Sequence, residues 1–228
     1  ILIFLLFYTS KSQEDQFKNQ QTELSRLGGI MLNGDTDSIR YEANTQFNNI
    51  LTELLNTEKS YKHNFKQIAP LLILQPKNKK FKLFSWFLSQ TNGQYVYYGV
   101  IQKCNKRGKK CTLYYLETIE KLNRNNQNKT IPYNNWYGCL YYDIISIKIK
   151  KNTYYTLLGW DGNNNMTTKK IIDVLTLDKK KEPIFGANIF NNNQNRITLE
   201  YSNKYSMSLT YDENLDYIVY DHLEPIDE

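Results

Sequence analysis

Cysteine and histidine are scarce in this chain, with 3 and 2 among 228 residues, which excludes a disulfide-dense scaffold and a protein built around several zinc ions. Recognisable catalytic signatures are missing as well. There is no Gly-x-Ser-x-Gly elbow, no Ser-x-x-Lys, no His-Glu-x-x-His and no Gly-x-x-x-x-Gly-Lys phosphate loop, so no residue is assigned as catalytic and no cofactor or metal is expected. Arginine is rare too. Five Arg stand against 24 Lys, beside 27 Asn and only 3 Ala, a profile that follows AT-rich codons. The net charge of +6 would suit phosphate binding, but bidentate recognition of phosphates and base edges favours Arg, so the composition argues against nucleic acid as the partner.

Core-forming material is plentiful. Hydrophobic residues make up 40% of the chain, with 19 Tyr, 10 Phe and 3 Trp, and a chain of this length buries roughly 70% of its unfolded surface. At the start, Ile1 to Tyr8 form an unbroken apolar run, of the length of a signal-peptide core and too short to span a bilayer. Ser10 and Ser12 then stand at the minus-three and minus-one positions of a cleavage before Gln13. Residues 1–12 are therefore read as the remnant of a leader, with no stable membrane span after its removal and an expected location in the periplasm or at the cell surface. No cysteine follows the run to take a lipid anchor.

Residues 13–70 read as a helical segment and residues 71–228 as an antiparallel β domain packed on it. Ile39, Ala43, Phe47, Ile50, Leu51, Leu54 and Leu55 recur at helical spacing, with Asp37 or Ser38 as cap, and a shorter helix over Gln16–Leu27 is expected to close at Gly28-Gly29. After Pro70, aromatic and β-branched runs alternate with Asn, Gly, Asp and Lys clusters. Ten strands are expected, near Lys82–Leu88, Tyr95–Gln102, Thr112–Leu116, Tyr137–Ile149, Thr153–Trp160, Lys170–Leu177, Pro183–Ile189, Arg196–Tyr201, Ser206–Tyr211 and Tyr217–His222. Residues 167–177 also fit a helix, although strand is preferred. The fold class that follows is mainly β with N-terminal helices (α+β), the meander forming a sandwich or a partly closed barrel.

Few residues stand out as chemistry. Cys104 and Cys111 flank a polar hairpin tip, where a cross-strand disulfide and two separate thiols are both open readings, and Cys139 is left as a buried apolar residue. Asp161, Asn163 and Asn165 match the opening of a calcium loop, but Met166 and Ile172 stand where that loop needs glycine and a carboxylate. A tight polar hairpin with Trp160 packed beneath it is the better reading. Trp86, Trp136, Tyr137 and Trp160, beside Asp161, Asn163 and Asn165, would suit stacking on a sugar ring or anchoring a peptide if their rings face solvent. A hydrolase would need His222 to meet Cys139 or Asp221, and His63 reads as a solvated surface residue. Charge is uneven: residues 76–130 hold 12 Lys or Arg and 2 acids, whereas 211–228 hold 7 acids and no Lys or Arg.

The stretches Phe81-Lys82-Leu83-Phe84-Ser85-Trp86, Tyr97-Tyr98-Gly99-Val100-Ile101-Gln102, Trp136-Tyr137-Gly138, Tyr155-Thr156-Leu157-Leu158-Gly159-Trp160-Asp161-Gly162-Asn163, Pro183-Ile184-Phe185-Gly186 and Tyr220-Asp221-His222-Leu223 together resemble an uncharacterised family of exported proteins from Bacteroidetes-type bacteria. The resemblance spans roughly residues 40–226 and implies export to a bacterial envelope without assigning any catalytic residue. The expected function is binding or assembly in the envelope, with an envelope protein or glycan as partner. A hydrolase and a basic nucleic-acid-contacting protein are the alternatives.

Overall fold

Aromatic and β-branched runs after residue 71 make strands buried on both faces, and the computed structural model shows how they pair. It describes residues 2–57, 60–105, 107–118 and 128–222, with no side-chain detail for 1–14 and 192. The side chains of the leader run, Lys106 of the hairpin tip, residues 119–127 of the basic stretch and 223–228 of the acidic end lie outside the described residues. The chain divides into two compact units, one of residues 1–71 and 104–111, the other of 72–103 and 112–228.

The first unit is a helical hairpin, α1 (Leu2–Asn33) and α2 (Asp37–Asn56). Phe17, Leu24, Leu27 and Met31 of α1 and Ala43, Phe47, Leu51, Leu54 and Leu55 of α2 are buried at three- and four-residue spacing, while Ile39 stays exposed. Thr36 caps α2, its Oγ1 accepting from the Ile39 N–H at 3.3 Å, in place of the expected Asp37 or Ser38. The first helix does not stop at Gly28-Gly29. A Cβ at Gly28 would collide with the Ala69 carbonyl oxygen, so this glycine serves a close approach inside the helix and packing outweighs its low helix propensity. His63 is half-buried rather than solvated: its ring lies 3.7 Å from that of Phe17, and its Nε2 is 3.1 Å from Gln21 Nε2. Cys104 and Cys111 are joined in a disulfide, and Gly108 of that closed tip lies beside the Lys62 side chain.

The second unit is an α+β protein's β half: two antiparallel sheets face to face, and they do not close into a barrel. Strands β1 (Leu72–Leu74), β2 (Lys82–Ser89), β3 (Tyr95–Cys104) and β4 (Cys111–Leu116) form one sheet in that order. The other contains β5 (Ile131–Pro132), β6 (Leu140–Ile149), β7 (Asn152–Asp161), β8 (Thr167–Leu177), β9 (Pro183–Phe185) and β10 (Ile197–Ser202), ordered β5-β9-β8-β7-β6. Strand β8, which settles residues 167–177 as extended, is long enough to pair with β10 over Thr167–Ile172 and with β9 over Leu175–Leu177. Period-two alternation gives this sheet two apolar faces. Leu157, Ile171, Leu175 and Tyr141 join Leu83, Tyr97, Ile101 and Leu116 in the core between the sheets, whereas Leu158 and Ile172 face the other way. Onto that second face packs a hairpin of β11 (Leu209–Asp212) and β12 (Tyr217–Tyr220), through Leu209, Tyr211 and Ile218. Two expected strands are trimmed by glycines with positive φ: Gly138 (82°) precedes β6, and Gly186 (83°) ends β9.

Candidate functional site

The Trp160–Asn165 hairpin is held by a network of hydrogen bonds. Asp161, at the end of β7, is 1% exposed, and its Oδ1 accepts from the Tyr97 hydroxyl (3.0 Å) and the Asn163 N–H (2.9 Å). The Gly162 N–H in turn donates to the Tyr97 oxygen at 2.8 Å. Asn163, with φ 54°, donates through Nδ2 to Thr167 Oγ1 (2.7 Å) and Glu200 Oε1 (3.2 Å). Asn164 Oδ1 accepts from the Met166 and Thr167 amides at 2.8 and 3.0 Å. Asn165 Nδ2 donates to the Asn92 carbonyl at 3.3 Å, and Asn203 Nδ2 donates to the Asn165 carbonyl. A Cβ at Gly162 would strike the Tyr95 ring. Trp160 is half-buried between Phe87 and Tyr95, with ring centroids 5.6 and 5.2 Å away. The three side chains that suggested a calcium loop thus turn to different protein partners. Among the described residues no group of three or more His, Cys, Asp or Glu side chains could hold a metal ion.

The other aromatic candidates are inside. Trp86, Trp136 and Tyr137 are each at most 2% exposed, so the expectation that their rings stack on a ligand at the surface does not hold. Trp86 stacks on Tyr98, and Trp136 packs beside Tyr141 and Phe185. Alternation in a strand sends neighbouring rings to opposite faces, but both faces are covered here, which the pattern alone does not disclose. Among the described residues the exposed tyrosine rings are Tyr115 on β4 and Tyr205, Tyr217 and Tyr220, on and beside the β11–β12 hairpin.

A buried polar cluster that the sequence did not signal lies beneath Trp136. Arg196, 1% exposed, donates from Nη2 to Asp173 Oδ1 at 3.1 Å and forms an ion pair with Oδ2 at 2.9 Å, with its guanidinium 5.1 Å from the centre of the Tyr137 ring. Asp173 also accepts from the Tyr141 hydroxyl (2.8 Å) and the Val174 N–H (2.8 Å), and Tyr141 accepts from Trp136 Nε1 at 3.2 Å. Burial first, and the Asp173 carboxylate second, push the Tyr141 phenol well above its ordinary range. For Arg196 burial is the largest influence and opposes the charge, yet the charge of Asp173 and its hydrogen bond, together with the neighbouring groups, leave the pKa raised. This is an internal ion pair whose Arg196 Nε is buried without a hydrogen-bond partner, and it ties β8 to the residue before β10 and to the start of β6.

Cys139 borders the same cluster, fully buried, in the space left by Gly159, where a Cβ would come within 2.9 Å of its sulfur. Burial and then the Asp173 charge push the thiol pKa up, which opposes the thiolate a nucleophile needs. His222 is exposed beyond β12, and Asp221 Oδ2 accepts the Ser208 N–H at 2.7 Å. The pairing of His222 with Cys139 that a hydrolase would use is not assembled. Among the described residues no helix is long and apolar enough to cross a membrane. The chain matches no protein-family model, no curated protein and no solved structure.

Proposed function

We propose that this is an exported protein of the bacterial cell envelope, working in the periplasm or at the cell surface by binding or assembly rather than by catalysis. The observation that carries the reading is the Cys104–Cys111 disulfide, because such bonds persist in oxidising compartments and are rare in the cytosol. The apolar run Ile1–Tyr8 and the resemblance to exported proteins point the same way. Binding is favoured over catalysis because the groups with reactive potential are engaged within the fold: Cys139 is enclosed, and Asp161 and Asp173 bond to protein donors.

Intact-mass measurement and N-terminal sequencing of the protein from fractionated native cells, with and without thiol alkylation, test the reading. The expected result is a chain starting at Gln13 in an envelope fraction, with Cys104 and Cys111 protected and Cys139 alkylated only after denaturation. An unprocessed cytosolic chain with three free thiols would overturn it.

A further inference from the structure

Beyond Tyr155, strand β7 has lost its β8 neighbour, since their pairing begins at Tyr155↔Leu175. The last pairs of the β6–β7 hairpin, Ile147↔Tyr154, Lys148↔Thr153 and Ile149↔Asn152, therefore stand beyond the sheet as a two-stranded ribbon. All six residues from 147 to 152 are exposed. Ile147 and Ile149 continue the face of Ile145, which packs on the core, yet they lie 42% and 46% open to solvent. Two residues apart on one strand face, the isoleucines place a small apolar surface beside the lysines of the tip.

Three turns from separate parts of the sequence meet at this end. The register that sets Tyr155 against Leu175 brings the Asp178–Glu182 turn alongside, with Lys179, Lys180 and Lys181 exposed. Asn78 donates to the Tyr155 hydroxyl at 2.9 Å, which brings the loop carrying exposed Lys80. Lys103 reaches across to donate to the Lys181 carbonyl at 2.7 Å. Its own pKa is lowered by burial first and then by the Lys181 charge, with Asp178 and Glu182 pulling the other way. Three acids stand nearby: Asp178, which accepts the Glu182 N–H, Glu182 itself, and Glu213, which pairs with Lys77.

We propose that this end of the β unit docks on an anionic lipid bilayer, with Lys148, Lys150, Lys151, Lys179, Lys180 and Lys181 facing the headgroup phosphates and Ile147 and Ile149 entering the headgroup–acyl boundary. Lysines attract an anionic surface without a fixed geometry, and the paired isoleucines separate a bilayer from a nucleic acid, which offers them nothing to enter. The inference rests on the envelope reading for where such a surface would be met. That reading has its own test in cell fractionation, so an envelope protein that fails to bind vesicles overturns the lipid surface alone.

The test is flotation of the full-length protein with vesicles of phosphatidylcholine alone or mixed with phosphatidylglycerol, using the variants Lys148→Gln/Lys150→Gln/Lys151→Gln and Ile147→Ser/Ile149→Ser. Melting followed by circular dichroism checks that each variant is folded. The wild type is expected to bind the anionic vesicles and to weaken as salt rises. The lysine variant should lose about a hundredfold in partitioning, on the basis of about fivefold per charge. The isoleucine variant should lose about tenfold. The apolar run at residues 1–8 is the same in every protein, so these differences report the tip. Binding left unchanged by the lysine substitutions overturns the proposal. So does an isoleucine variant that binds vesicles as the wild type does, which would indicate a soluble polyanion instead.

Discussion

The two ends of β7 lie about 30 Å apart and are both rich in polar residues, yet they are organised in opposite ways. At the Asp161 end, Asn, Asp, Thr and Glu side chains turn inward and bond to one another, so the hairpin is tied to the β2–β3 turn through Asn92 and to the β10–β11 connection through Asn203. At the Asn152 end the polar side chains are lysines directed to water, and among the described residues no carboxylate pairs with Lys148, Lys150, Lys151, Lys179, Lys180 or Lys181. The end with the more distinctive sequence is the structural one. Capacity for an outside partner lies where internal partners are missing, at an end whose individual turns read as ordinary lysine-rich loops.

The largest change should come from alkaline pH, which acts on the bonded regions. Tyr97 and Tyr141 both have pKa values raised by burial first and then by Asp161 and Asp173 respectively, so the folded state holds these protons more tightly than the unfolded chain. Their contribution is complete below the ordinary tyrosine value near 10.0 and is lost as pH rises beyond it. Absorbance at 295 nm and near-ultraviolet circular dichroism should show these two ionising only as tertiary structure is lost. Ionisation of every tyrosine in an intact fold would break the argument.

Next in size is Asp173→Ala, which strands the Arg196 charge in the core and should cost about 3–5 kcal/mol in denaturant unfolding. Replacing both partners with apolar residues should recover much of that loss. Asp161→Ala should cost less, about 2 kcal/mol, because the Tyr97 hydroxyl keeps its bond from the Gly162 amide while losing its acceptor. Equal losses for the two carboxylates would mean that the Asp161 end is held by more than its hydrogen bonds.

The ordering of these effects parallels what could be read in advance. The long strands were legible because runs such as Tyr95–Gln102 and Thr153–Trp160 carry β-branched and aromatic residues between turn-forming ones. Strands β1 and β5, with three and two residues, leave no periodicity to detect. The continuation of α1 through Gly28-Gly29 depends on Ala69, far along the chain, and Arg196 meets Asp173 across 23 residues, so neither has a local signal. The hairpin at Asp161 was legible as a turn, since Asn163, Asn164 and Thr167 bond to near neighbours, whereas its ties to Tyr97, Asn92, Glu200 and Asn203 have no local signal. The basic end was not, because it exists only once strand register brings residues 77–80, 147–152 and 178–182 together.

The smallest effect on the folded protein is expected at that basic end, and its smallness sharpens the contrast. Lys148→Gln/Lys150→Gln/Lys151→Gln removes three exposed cations that hold nothing in place, so the melting temperature should stay within about 2 °C of the wild type. Any drift should be upward, because removing like charges relieves repulsion in the folded state. The same substitutions are expected to change vesicle binding far more than stability. A drop in melting temperature comparable to that of Asp161→Ala would instead mean that these lysines bond within the fold, and the two ends of β7 would then be alike.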